Sequence, residues 1–321
     1  MEKKHFLKKF ENQSAYESQK DSVMGIPHVV LLEDTKEVVY ASENNEIDYS
    51  KEFFTIAALE DGLTVQLSQN ASEYRIDNGE WVSLAANTAT PSINSGQKIS
   101  FKITNPTISS NSGIGIFTVN KAFNVEGNIM SLLYGDNFEG QTDLSGKNYA
   151  FYRLFYNCNT LTDANNFILP ATTLASSCYS YMFDNCTSLI TAPELPATAL
   201  ATYCYQGMFW GCTNLTSAPE LPATTLVARC YANMFYNCTS LTSAPELLAT
   251  KLVDGCYANM FNGCSKLNYI KMLATDINAS FCLSTWVNKV ASSGIFIKHL
   301  DMTTLPTGTS GIPNGWTVEN A

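Results

Sequence analysis

The sequence predicts a mixed chain in three parts: a small N-terminal helix-hairpin module, an all-β sandwich-like domain and a long C-terminal solenoid. Three observations carry this. The chain repeats itself from Leu174 onward, with Cys178, Cys204, Cys230, Cys256 and Cys282 each 26 residues apart. Six short apolar runs separated by turn residues fill 51–130. A capping-box sequence followed by a hairpin signal opens the chain.

Residues 1–50 form the first expected module. Ser14-Ala15-Tyr16-Glu17 reads as a capping box and predicts a short helix to about Met24, ended by Gly25-Ile26-Pro27. His28 to Leu32 and Glu37 to Tyr40 flank the turn Glu33-Asp34-Thr35-Lys36, a hairpin. A two-stranded hairpin is marginal in water, so its apolar side chains need a partner. Val29, Val30, Leu31, Val38, Val39 and Tyr40 are therefore the candidate attachment residues, facing either the next domain or another chain.

Residues 51–130 read as strands at Phe53–Ile56, Leu63–Leu67, Tyr74–Ile76, Trp81–Leu84, Lys98–Ile103 and Gly115–Val119. Asp61-Gly62, Asp77-Asn78-Gly79, Asn94-Ser95-Gly96 and Asn105-Pro106 separate them. Short strands at this density suggest a sandwich. Residues 131–172 are a transition, with Leu154 to Leu161 matching Met182 to Leu189 at a spacing of 28 rather than 26. Such a drifting first copy is expected of a cap. Residues 173–285 are the solenoid, in which each repeat buries its apolar face only by stacking on its neighbours. Residues 286–321 break the pattern and are expected to cover its far end.

Within each repeat, a leucine, two cysteines, a methionine, a phenylalanine and a second leucine recur and form the expected core stack. Ala175 to Asn185 lacks Gly and Pro and spaces Cys178, Met182 and Cys186 four apart, which predicts a helical face. Gly207 interrupts that pattern in the second copy. The rest of the repeat holds two prolines and is expected to be a short extended segment, since proline cannot sit in a central strand. A helical turn pair plus a short strand is leucine-rich-repeat architecture.

The repeated pattern, CYxxMFxxCTSLTxAPELPATTL, resembles the BspA-type leucine-rich repeats found in surface and phage-encoded proteins of Bacteroides-like bacteria. The resemblance covers roughly residues 150–285 and implies adhesion. Residues 51–150 are similar to the segment that often precedes such repeats. The first 50 residues resemble the N-terminal segments of virion proteins from phages of the same hosts.

Charge and composition exclude several classes. The net charge of −10 argues against nucleic-acid binding, which needs a basic stripe. No apolar run approaches the ~18 residues that would span a bilayer. The N-terminus has lysines but no following apolar segment, so it does not read as a secretory signal. The ten cysteines recur at fixed repeat positions and are expected to be buried thiols rather than disulfides. Their C-x7-C spacing is not a zinc spacing. The three histidines lie far apart in the sequence, and no nucleophile elbow, phosphate loop or metal motif appears. No enzyme activity and no cofactor are expected.

Three rows of residues remain as candidate sites. Glu194, Glu220 and Glu246 form a carboxylate ladder that reads either as a cation or basic-partner site or as a solvated edge. Tyr179, Tyr205, Tyr231 and Tyr257 form a stripe that reads either as an interface or as core. Positions that vary between repeats are the better ligand candidates, because stacking does not dictate them. Asp184, Trp210, Tyr236 and Asn262 occupy one such position and are the candidate binding face. The sequons at Asn185, Asn214 and Asn237 recur at the repeat period and read as turn asparagines.

Together these readings suggest a non-catalytic virion surface protein, a head or tail fibre or a decoration. Residues 1–50 would meet capsid or tail proteins, and the solenoid would meet a host-surface glycan or protein. A bacterial cell-surface adhesin is the alternative. A fibre of this kind is expected to be a homo-oligomer, dimer or trimer.

Overall fold

The computed structural model describes residues 6–10, 28–32, 37–41, 47–68, 72–103 and 117–321. The chain divides into two compact units, Met1–Asp48 and Tyr49–Ala321.

In the first unit β1 (Phe6–Phe10), β2 (His28–Leu32) and β3 (Glu37–Ala41) form one sheet in that order. β2 and β3 pair antiparallel, with Val29 opposite Tyr40, Val30 opposite Val39 and Leu31 opposite Val38. β1 runs parallel to β2. The expected helix between Ser14 and Met24 and the turn at Glu33–Lys36 lie outside the described residues. The helix-hairpin module is therefore not supported, and the described unit is a three-stranded sheet. Sequence reading missed β1, although a hairpin's need for a third strand points toward one.

The second unit is mostly β. β4 (Thr55–Ala58), β5 (Val65–Leu67), β6 (Ser72–Ile76), β7 (Val82–Leu84), β8 (Lys98–Ile103) and β9 (Phe117–Val119) correspond to the six expected strands. β10 (Phe123–Asn128), the one-turn helix α1 (Ser131–Tyr134) and β11 (Leu161–Ile168) follow. Six strands form an open sheet in the order β11-β10-β4-β8-β6-β7. A two-stranded ribbon, β5–β9, packs on it through Phe117, whose ring lies 5.0 Å from Phe54 and 5.3 Å from Phe101. β10 and β11 pair parallel, so the sheet runs directly into the first repeat.

The segment read as helical is not a helix. Residues 177, 181 and 185 have φ near +55° to +62°, and the same positions are left-handed in every later copy. Between them, alternate residues close tight turns: Ser180 N donates to Ser177 O and Met182 N to Tyr179 O. The intervening residues donate instead to the next coil, Tyr179 N to Cys204 O, Tyr181 N to Gln206 O and Phe183 N to Met208 O. An α-helix would keep every N–H within itself. Here half of them bond the following repeat, and the left-handed residue every fourth position turns them outward. The four-residue spacing of Cys178, Met182 and Cys186 is the period of this turn ribbon, not an approximation to 3.6. Gly207, which interrupts a helical reading, stands at a left-handed position with φ +59°.

The other side of each coil is extended. Isolated parallel bridges join it to its neighbours, Asp163 to Thr191, Thr173 to Ala199 and Ser243 to Tyr269. The prolines there lack the N–H that a continuous ladder needs. Where they stop, β12 (Tyr269–Met272), β13 (Ile295–Lys298) and β14 (Thr317–Asn320) form a continuous parallel sheet. The tail thus extends the stack. Trp286 and Phe296 are fully buried, and the indole of Trp286 donates to Gly311 O at 2.9 Å.

One aromatic column threads the whole second unit. Phe117, Phe155, Phe183, Phe209, Phe235, Phe261 and Trp286 follow one another at 5.4–6.1 Å between ring centres. A second column, Phe151, Tyr179, Tyr205, Tyr231 and Tyr257, is equally buried. The tyrosine stripe is core, and it is not an interface. The ten cysteines are free and buried. Cys186, Cys212, Cys238 and Cys264 each donate Sγ–H to the phenylalanine carbonyl of the preceding coil at 3.0–3.1 Å.

Candidate functional site

The turn ribbon fixes which side chains face outward. The residue before the third left-handed position forms the column Tyr156, Asp184, Trp210, Tyr236 and Asn262, partly exposed at the first four and buried at Asn262. Trp210 and Tyr236 are half-buried and stacked, with ring centres 4.3 Å apart and planes 23° from parallel. Of the expected binding face, these two meet directly. Asp184 precedes Trp210 by one coil. Asn262 is almost fully buried, donating to Asn259 Oδ1 at 3.4 Å and accepting from Asn288 Nδ2 at 3.2 Å. It stabilises the coil end and does not extend the face.

The face continues toward the N-terminal coils through Tyr181, at another position that varies between repeats, and through Tyr152 and Tyr149, which the sequence did not single out. The Tyr181 ring lies 6.5 Å from Trp210, Tyr152 lies 6.0 Å from Tyr181, and Tyr149 lies 5.7 Å from Tyr152. Together they make a row of partly exposed rings along the solenoid. Gly207 makes the row possible. A Cβ there would sit 2.3 Å from Tyr181 Cε1, so the ring can lean over the second coil only because that position is bare.

Arg153 stands among these rings. Its guanidinium carbon lies 4.9 Å from the centre of Tyr156, 5.1 Å from Tyr152 and 5.6 Å from Tyr181. Each face contact is a cation–π attraction. Its Nε is buried and without a hydrogen-bond partner. Among the described residues it forms no ion pair, though its charge acts on Asp184. Asp184 is half-buried nearby, and burial pushes its carboxyl up to about 6 despite the opposing pull of Arg153.

The glutamate ladder lies on the extended side of the coils. Glu246 pairs with Lys271 at 2.9 Å, while Glu194 and Glu220 are exposed and flank a shallow groove of about 340 Å³ lined by Pro193, Pro196, Pro219 and Pro222. Among the described residues no cluster of three or more His, Cys, Asp or Glu could hold a metal ion. Among them, too, no helix is long and apolar enough to cross a membrane. The candidate attachment residues lie in β2 and β3, within the first unit.

The fold and its outward columns define a solenoid of stacked coils that presents a row of rings on one face. Residues 151–268 and 206–292 match the BspA type leucine rich repeat region, in six copies. This part of the chain consists of BspA-type leucine-rich repeats. No curated protein and no solved structure matches the chain.

Proposed function

We propose that the chain is a non-catalytic surface protein whose solenoid adheres to a host-cell surface. BspA-type repeats suggest a protein of surface and adhesion type. The observation that carries the reading is the half-exposed Trp210–Tyr236 stack, large rings at a position the core does not require. Rings of this kind supply contact area at low entropic cost and dominate binding surfaces. The site of display is a virion, where the N-terminal unit contacts capsid or tail proteins in a dimer or trimer. The virion setting is favoured by the resemblance of residues 1–50 to virion segments.

Replacing Trp210 and Tyr236 together by alanine is expected to abolish binding to host cells. The melting temperature should fall by no more than about 3 °C, since an aromatic pair contributes ~1 kcal/mol. Unchanged cell binding by the double variant would overturn the reading. Mass spectrometry of purified particles and of host envelopes tests the location. Stoichiometric peptides in particles support the virion, and peptides only in envelopes indicate the bacterial-surface adhesin instead.

A further inference from the structure

We propose that the ring row is a saccharide site with a charge requirement: Arg153 takes a carboxylate of an acidic glycan whose sugar rings lie over Tyr181, Trp210 and Tyr236. The proposal rests on the adhesion reading of the same face and names its ligand class.

A guanidinium carries five N–H donors and is normally paired where it is partly buried. Here the guanidinium of Arg153 lies against three tyrosine rings, and its buried Nε has no partner. Among the described residues it forms no ion pair, although its charge acts on Asp184 and the chain as a whole has an excess of acidic groups, 29 against 19 basic. Because Nε is closed to solvent, a planar carboxylate would meet the terminal Nη groups, which can bind it through two parallel hydrogen bonds. The neighbouring surface fits the rest of such a ligand. A sugar ring offers one face of C–H groups to an aromatic plane and hydroxyls at its rim. The row supplies the planes in Tyr181 and the Trp210–Tyr236 stack. Gln206, Asn185 and Asn233 on the same turn segments are partly or fully exposed and supply amides. The row runs along the solenoid, so it suits several linked sugar units rather than one.

Asp184, the carboxylate on which the charge of Arg153 acts, sets the sense of a second observable. Its charge opposes an acidic ligand, so removing it should tighten binding while removing Arg153 should weaken it. A neutral glycan would respond to neither change in this way.

The test uses the full chain on an array of uronate- and sialate-containing oligosaccharides and neutral ones. Calorimetry follows with the best acidic binder and its carboxyl methyl ester. The acid is expected to bind about tenfold more tightly than the ester, the gain of one charge-assisted pair. Arg153→Met should erase that preference. Arg153→Lys, which keeps charge and fold, should retain only part of it, and Asp184→Asn should raise affinity for the acid alone. Trp210→Ala should weaken acid and ester alike. Equal binding of acid and ester by the unaltered chain would overturn the proposal. So would loss of Trp210-dependent cell adhesion on protease treatment but not on glycosidase treatment, an outcome that leaves the adhesion reading standing. Absence of any Trp210-dependent adhesion would sink that reading as well.

Discussion

At the scale of single residues, Gly207 does two jobs that can be separated. It holds a left-handed backbone, which costs an ordinary residue about 1–2 kcal/mol, and it leaves room for the Tyr181 ring. Gly207→Ala should therefore destabilise the protein by about 2–4 kcal/mol in urea unfolding, strain and clash together. Pairing it with Tyr181→Ala should recover the clash and leave only the backbone cost. Equal losses in the single and double variants would show that the ring does not press on this position. Asp184 gives a pH signature. Its carboxyl is raised to about 6 from an ordinary value of 3.8. The folded state then binds more protons than the unfolded one between those values, so stability falls as pH rises through that window. Asp184→Asn should stabilise the protein at pH 7.5 and make little difference at pH 4, the gain moderated by partial solvent exposure. Trp210 and Tyr236 were legible in the sequence because a fixed period exposes the positions that stacking does not dictate. Arg153 and Tyr152 were not. They sit in the 28-residue first copy, out of step with the rest, and they join the face through a ring that leans across a coil boundary.

At the scale of elements, the short strands of 55–119 could be read from apolar runs and turn residues, because each strand is local and its ends are marked. The turn ribbon could not be read by the same means. A period of four and a period of 3.6 differ little over eleven residues. The better signal was the column Asn185, Gly211, Asn237 and Gly263, residue types that tolerate left-handed backbone, with Tyr181, Gly207, Asn233 and Asn259 beside it. The difference is measurable in solution. Helical coils would give a strong double minimum in far-ultraviolet circular dichroism, whereas the described residues hold a single α-helix of four residues. A weak, strand- and turn-like spectrum is expected, and strong helical ellipticity would contradict the ribbon.

At the scale of the whole molecule, the period announced a solenoid, but not its junction with the sheet. Parallel pairing of β10 with β11 depends on residues about forty apart and leaves no mark in either segment. Because the backbone bonds between coils join neighbours, turn segments donating to the next coil and extended segments to the next or the preceding one, stability should be close to a sum over neighbours. Excising residues 226–251, one full period, places Leu252 after Thr225 and lets Tyr205 N meet Cys256 O as it meets Cys230 O now. The shortened chain should fold and unfold in a single transition at a lower temperature. Excising residues 226–238 sets turn segments against extended ones and should abolish folding. If both deletions behave alike, coil register does not hold the molecule together.

The buried sulfur atoms bear on where such a chain can live. Each Sγ–H in the second cysteine column is engaged with a carbonyl, and burial pushes thiols such as Cys178 and Cys264 up to about 12. At neutral pH almost none of this sulfur is in the reactive anionic form. Folding then requires no oxidase and no disulfide shuffling, and the finished molecule offers little for glutathione or air to attack. The solenoid's stacking then rests on buried free thiols and needs no disulfide, in reducing and oxidising surroundings alike.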